Sequence, residues 1–181
     1  MIMNKLKYAL ITTMLIGALP LMAQEKVNST GGHSPHETTS RVVDGDRITI
    51  TYGRPYMKGR QIWGGLVPFG KVWRTGADEA TVLITQKPIV IGGTTVPAGA
   101  YTLFTLPNED GSAKLIINKQ VGQWGIGPGS YDQSQDLARV DMKKETLETP
   151  VEEFTMAVTR DGQLKMSWDK TQYSVSFTVQ K

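Results

Sequence analysis

The chain has 181 residues, a net charge of +3, no cysteine and only two histidines. The lack of cysteine excludes disulfides, a lipid-modified N-terminal cysteine and a thiol nucleophile. Two of the 20 basic residues fall in a predicted signal peptide, so that 18 remain against 17 acidic residues in the mature chain. Such a small positive balance does not favour nucleic acid as a partner. The 39% hydrophobic content suffices for the core of one domain.

The N-terminal residues have the organisation of a signal peptide. Lys5 and Lys7 precede an apolar run from Tyr8 to Met22, and Ala23 supplies the small residue that a signal peptidase requires. The run is short for a bilayer span, so we expect cleavage after Ala23 rather than a membrane anchor. The sequence therefore predicts a signal peptide over residues 1–23 and a periplasmic or secreted bacterial protein without a transmembrane segment.

The stretch after the signal peptide has the composition of a linker. Residues 24–39 are polar, contain Gly and Pro, and show no apolar periodicity, which predicts a disordered segment. Both histidines, His33 and His36, fall in it, and H-x-x-H in a disordered linker does not predict a metal site or another cofactor. We therefore expect the folded domain, residues 40–181, to lack histidine, which would exclude a Ser-His-Asp triad and a His-ligated metal centre.

From Ser40 onward the sequence alternates with the period of β-strands. Asp44-Gly45 predicts a hairpin turn before Arg47–Tyr52, and Gly92-Gly93 predicts a second one. Turn signals recur roughly every 8–12 residues and separate about ten short strands, with one possible helical turn at Lys143–Leu147. We expect an all-β domain, a single antiparallel β-sandwich of jelly-roll or immunoglobulin-like type, with a barrel as the alternative.

The stretch from Tyr52 to Thr81 contains six Gly and two Pro and is dense in aromatic and basic residues. Its arginines have two interpretations. They either clamp a carboxylate, phosphate or sulfate together, or bond backbone carbonyls of this irregular segment and stack on its tryptophans. The candidate binding residues in the first part of this stretch are Arg54, Lys58, Arg60, Trp63, Trp73 and Arg74.

The same stretch ends on two carboxylates, Asp78 and Glu79, which are candidates for acid/base chemistry or for binding a hard cation. Adjacent residues of a strand point to opposite faces, so we expect that the two cannot easily act as one pair. The preferred interpretation is that one of them accepts a salt bridge from Arg54, Arg60 or Arg74.

A second candidate site lies in the loop predicted over residues 119–135. Trp124 and Tyr131 flank a run of glycines there, but no Lys-Ser/Thr follows, so the loop does not predict a nucleotide site. Two interpretations remain open for the aromatic pair. They form a stacking platform for a sugar or peptide, or they pack over one end of the sandwich.

Several motifs together resemble a known family. Gly53-Arg54-Pro55, Leu66-Val67-Pro68-Phe69-Gly70, Trp73-Arg74-Thr75-Gly76-Ala77 and Gly122-Gln123-Trp124-Gly125 are similar to the signature of the domain-of-unknown-function family numbered 2911. The resemblance covers roughly residues 38–181. It implies an exported, single-domain bacterial protein without an established activity, and it adds no catalytic residue. Asp78 departs from the family pattern, which usually carries Asn there, and this weakens any role that needs a carboxylate.

These observations lead to three functional hypotheses. The favoured one is a non-enzymatic module of the periplasm or cell envelope that binds a small molecule, a glycan or a protein near residues 52–81. The second is a hydrolase or lyase that uses carboxylates, with Asp78, Glu79 and Asp132 as candidates. The third is a structural envelope protein in which the dense stretch serves only folding.

Overall fold

The computed structural model describes residues 34–125 and 129–181, and the backbone of residues 25–27. The predicted signal peptide and its cleavage site lie outside these ranges. Within them, no helix is long and apolar enough to cross a membrane.

The described chain is all-β and its strand pairs are antiparallel, which confirms the predicted fold class. The strands form one sheet in the order β1-β2-β3-β4-β7-β8-β9-β10-β5-β6. A 3-10 helix, Gln133–Gln135, precedes β9. The strands are β1 Glu25–Val27, β2 His36–Val43, β3 Asp46–Gly53, β4 Thr81–Thr85, β5 Ile89–Ile91, β6 Thr94–Val96, β7 Gly99–Pro107, β8 Ala113–Asn118, β9 Asp136–Val158 and β10 Gln163–Val179.

Two of the predicted hairpin turns are present. Asp44 and Gly45 have φ angles of 47° and 76° between β2 and β3, and Gly92 and Gly93 have φ angles of 56° and 79° between β5 and β6. Positive φ at both central residues is the requirement of the tight turn that matches the twist of paired strands. The turn chemistry in the sequence therefore placed these two hairpins correctly.

The larger of two hydrophobic clusters is built mainly from inward residues of β3 to β10 and forms the core, and a small second cluster contains Ala80, Phe104 and Ile116. The hydroxyl of Tyr52 on β3 accepts from the backbone N–H of Met156 on β9 at 3.0 Å. Arg41 on β2 donates from Nε to the carbonyl of Val158, also on β9, at 2.7 Å. β2 and β3 are not sheet neighbours of β9. These bonds therefore join distant parts of the one sheet around the core.

The folded domain extends before residue 40, the start that the sequence predicts. β2 starts at His36, and its first residues pair with the end of β3. The expected alternation of apolar residues is missing there because the inward residue is a charged one, Glu37, which is 3% exposed and bonded to Arg54. The prediction that the domain lacks histidine is therefore wrong.

The helical turn predicted at Lys143–Leu147 is also wrong, because this segment is part of the 23-residue strand β9. It pairs with Thr171–Ser174 of β10, and most of its side chains are exposed. A strand with little buried surface leaves no alternating pattern to recognise. β9 and β10 are therefore long strands, of 23 and 17 residues, where the sequence predicts short ones.

Residues 54–80, which connect β3 to its neighbour β4, are here called the crossover. It is ordered by isolated antiparallel bridges to three other parts of the fold. These pair Tyr56 with Glu153, Trp73 with Thr105, and Glu79 with Trp124. The crossover is therefore attached to β9, to β7 and to the loop after β8, and it holds most of the predicted site residues.

Candidate functional site

The crossover lines a cleft of about 500 Å³ that reaches down to the tryptophans of the core. The cleft has an apolar side from Leu66, Pro68 and Val72. Three cationic side chains and one carboxylate also line it, so its electrostatic balance favours an anion. These charged residues are Arg60, Lys71, Arg74 and Asp78.

Two stacked indoles form the inner wall of the cleft. The rings of Trp73 and Trp168 lie 5.8 Å apart at an interplanar angle of 18°. The Trp73 indole donates to the carbonyl of Gly76 at 3.2 Å, and Phe154 packs edge-on against it at 5.1 Å. Trp63 does not line the cleft and packs edge-on against Trp73 from another side, at 6.1 Å. The wall is therefore fixed by packing on several sides.

Arg74 is the half-buried cation of the cleft. Its Nε is buried and has no hydrogen-bond partner among the described residues. Burial lowers the pKa of the Arg74 guanidinium, and the negative charge of Asp78 acts in the opposite direction. An incomplete set of partners around a partly desolvated charge is unfavourable in the free protein, and an anionic ligand in the cleft would relieve it.

Arg60 reaches the cleft but is already bonded to its own segment. It donates to the carbonyl oxygens of Met57, at 2.9 Å, and Tyr56, at 2.5 Å. These contacts match the interpretation that the arginines bond backbone carbonyls of the irregular segment. Lys58 is exposed and does not line the cleft, and its backbone N–H donates to Glu152 at 2.8 Å.

Arg54, in contrast, does not line the cleft and lies in a buried polar cluster. It forms ion pairs with Glu37 and with Glu153, the second at 3.4 Å. It also donates to the hydroxyl of Thr155 at 2.7 Å and to the carbonyl of Phe154 at 3.0 Å. The three arginines of the sequence prediction therefore do not form one clamp, because only Arg60 and Arg74 face the cleft.

Asp78 and Glu79 converge on a histidine, although they are adjacent in the sequence. His36 Nε2 lies 3.1 Å from a carboxylate oxygen of Glu79 and 3.8 Å from one of Asp78. Asp78 has a φ angle of +63°, so that the two residues are not in the extended conformation that would turn them apart. The expectation that they cannot easily act as one pair is therefore wrong. The basic side chain that contacts both carboxylates is His36, whereas Arg54 is paired with Glu37 and Glu153.

The two aromatic residues of the second candidate site have different surroundings. The Tyr131 ring packs on Phe104 at 4.9 Å, and its hydroxyl lies between Asp136, at 2.7 Å, and Arg139, at 2.5 Å. Burial, with the carboxylate of Asp136, raises the pKa of Tyr131 to about 12. Trp124 is 63% exposed beside the end of the crossover. Tyr131 therefore matches the packed interpretation, whereas Trp124 presents its ring to solvent.

Three residues of this region were not among the predicted site residues. Lys71 and Trp168 line the cleft, and His36 contacts Asp78 on its other side. Lys71 is a basic residue of the same dense stretch as the predicted site residues, so the sequence could have indicated it. Trp168 lies far along the chain in an alternating strand, where the sequence pattern of a tryptophan in the core is the same as that of one lining a cleft.

Asp132, a candidate of the enzyme hypothesis, caps the 3-10 helix by accepting a hydrogen bond from the Ser134 N–H at 2.9 Å.

No group of three or more His, Asp or Glu side chains in the part of the chain that the structure describes is placed to hold a metal ion. A family model described as a protein of unknown function, DUF2911, matches residues 34–177. The match begins within two residues of β2 and covers the crossover and the cleft. No match to the chain was found among the curated proteins or among the solved structures.

Proposed function

We propose that this chain, which belongs to the DUF2911 family, binds a small anionic ligand with an apolar or aromatic ring in the cleft of the crossover. The observation that carries the proposal is the environment of Arg74. Its guanidinium is half-buried beside the paired indoles of Trp73 and Trp168, and its Nε has no acceptor among the described residues.

The size and lining of the cleft support a small ligand of this class. Pockets for small molecules are commonly about 300–1,000 Å³, and the volume of about 500 Å³ falls in that range. A carboxylate, sulfonate or phosphate group matches the planar donors of an arginine, and an apolar ring matches the indole wall. Lys71 adds positive charge at the same opening.

Calorimetric titration with four probes tests this ligand class. Benzenesulfonate and benzoate combine an anionic group with a ring, whereas benzyl alcohol lacks the charge and inorganic sulfate lacks the ring. Both the charge and the ring contribute to binding, so we expect the first two probes to bind more tightly than either control. Equal binding of all four, or no heat of binding from any of them, contradicts the proposal.

A pair of matched variants tests whether the site is the cleft. We expect Arg74→Gln to weaken benzenesulfonate binding roughly tenfold, because a charge-assisted hydrogen bond contributes about 1.5–3 kcal/mol. Lys58→Gln removes the same charge from an exposed side chain outside the cleft and is expected to leave the dissociation constant nearly unchanged. If both variants weaken binding equally, the probe responds to net charge and not to this site.

We also propose that the protein is exported to the periplasm or the cell exterior. Lys5 and Lys7, the apolar run up to Met22, and Ala23 support this location. Expression from its own N-terminus in a bacterium, followed by N-terminal sequencing of the soluble envelope fraction, is the test. We expect a chain that begins at Gln24, and a cytoplasmic chain that retains the apolar run is the contrary outcome.

A further inference from the structure

One carboxylate belongs both to the cleft and to the contact with the histidine. Asp78 lines the cleft, where its charge acts on Arg74 and favours the protonated guanidinium. One of its carboxylate oxygens also lies 3.8 Å from Nε2 of His36, whose side chain is 15% exposed. The charge of His36 and the charge in the cleft are therefore connected through a single side chain.

The charged groups around His36 determine how its protonation changes the local electrostatics. From the crossover, two carboxylates face the imidazole, those of Asp78 and Glu79. The paired strands β3 and β1 place Gly53 and Val27, which carry no charge, opposite His36. The remaining charged neighbour on β2, Glu37, is engaged by Arg54 of the buried cluster. Protonation of His36 therefore adds a positive charge beside two carboxylates, that of Asp78 at 3.8 Å and that of Glu79 at 3.1 Å.

We propose that protonation of His36 strengthens anion binding in the cleft, so that ligand affinity depends on pH. This inference rests on the proposed function, because it concerns the same cleft. A protonated His36 offsets the negative charge of Asp78, which lines the cleft and acts on Arg74. The cleft then has a larger net positive charge, and an anionic ligand binds more tightly. Deprotonation of His36 removes this contribution, so the affinity is expected to fall as the pH rises through the range in which histidine loses its proton.

The coupling has a reciprocal consequence that can be measured. If protonation of His36 tightens the binding of an anion by some factor, the bound anion must favour the protonated form of His36 by the same factor. Saturating the cleft with an anionic probe is therefore expected to move the titration midpoint of His36 to higher pH. A histidine that is only part of the scaffold would not respond in this way.

Calorimetric titration of the mature chain with benzenesulfonate at about pH 5.5 and pH 8 tests the inference, because the sulfonate keeps its charge across the range in which histidine titrates. We expect binding at least about fivefold tighter at the lower pH, the lower end of typical couplings between sites. His36→Gln is expected to reduce this ratio to near one. His33→Gln, at the only other histidine of the chain, is the control and should keep the ratio.

A second measurement keeps the test decisive if the His36→Gln variant does not fold. The imidazole resonances of the wild-type chain are followed by NMR from pH 5 to 8 with and without saturating benzenesulfonate, and His33→Gln assigns them. A midpoint of His36 that rises with the probe supports the coupling. Tight binding with the same affinity at both pH values, or with an unmoved midpoint, overturns this inference alone. Failure of benzenesulfonate to bind at either pH overturns the proposed function together with it.

Discussion

Two arginines of the crossover show how the surroundings of a side chain decide its role. Arg54 has two carboxylates, a hydroxyl and a backbone carbonyl around its guanidinium. Arg74 lines the cleft, and its Nε has no acceptor among the residues that the structure describes. We infer that Arg54 stabilises the fold and that Arg74 serves the ligand, although both lie in the same irregular segment.

Arg54→Met tests the structural half of this distinction. The change leaves Glu37, which is 3% exposed, as a buried charge without its cation. Breaking a buried ion pair from one side typically costs about 3–5 kcal/mol. We expect the free energy of unfolding, measured by urea denaturation, to fall by about 3 kcal/mol. Arg54→Met combined with Glu37→Gln should recover part of the loss, and a loss below 1 kcal/mol in the single variant would show that the pair is dispensable.

The sequence alone did not separate these two arginines, for a physical reason. The partners of Arg54 are Glu37, 17 residues away, and residues of β9 about a hundred positions along the chain. Such pairings arise only when the sheet brings distant segments together. The sequence did indicate the residue types and the segment of the site, because glycine, proline and aromatic density are local properties. It could not identify which cation remains available.

At the scale of elements, the last residue of β3 and the end of the crossover pack against each other at glycines. A Cβ atom at Gly53 would lie 2.2 Å from the carbonyl oxygen of Ala77, and one at Gly76 would lie 2.9 Å from the carbonyl oxygen of Gly53. Real Cβ atoms do not approach backbone atoms so closely. The close approach brings the end of the crossover, with Asp78 and Glu79, beside the start of β2. The glycine at position 53 is thus required for the geometry of the cleft.

Gly53→Ala is expected to destabilise the domain by about 3 kcal/mol or more, because the methyl group collides with backbone rather than with a movable side chain. Gly59→Ala is the matched control within the crossover. Its φ angle is +69°, but a Cβ there would meet nothing within 4 Å. It should therefore cost only about 1 kcal/mol, from the left-handed backbone alone. Equal losses in thermal denaturation would contradict the close packing at Gly53.

The elements differ in how well the sequence predicted them. The hairpins at Asp44-Gly45 and Gly92-Gly93 were predicted correctly because their turn type depends on two adjacent residues. The first residues of β2 and the middle of β9 were not. Their inward or paired positions hold charged and polar residues, so hydrophobic alternation gives no signal there. His36 was assigned to a linker for the same reason.

At the scale of the whole molecule, the order of the sheet combines local and distant pairings. β5 and β6 form a hairpin that leaves β4 and joins the far side of β10, and β7 then returns to pair with β4. Nothing in the local sequence indicates this exchange, because all candidate partners are alternating strands of similar composition. The all-β class could therefore be predicted from the sequence, whereas the order of the strands could not.

The N-terminal boundary of the domain gives a prediction at this scale. A chain that begins at Ser40 lacks His36–Thr39, which pair with the end of β3, and lacks the carboxylate of Glu37. We expect it to lose cooperative unfolding in urea, whereas a chain that begins at Gln24 keeps it. The comparison is made by near-ultraviolet circular dichroism. Equal midpoints of urea unfolding for the two chains would show that the domain begins at residue 40.

The most direct test of the ligand site uses the four tryptophans of the chain as reporters. In a ¹⁵N-labelled sample of residues 24–181, the indole N–H resonances are followed while benzenesulfonate is added. Trp73 and Trp168 line the cleft, whereas Trp124 is 63% exposed and lies outside it. We predict saturable shifts of the Trp73 and Trp168 resonances, with that of Trp124 unchanged. Shifts confined to Trp124, or no saturable shift at all, would contradict a ligand site in the cleft.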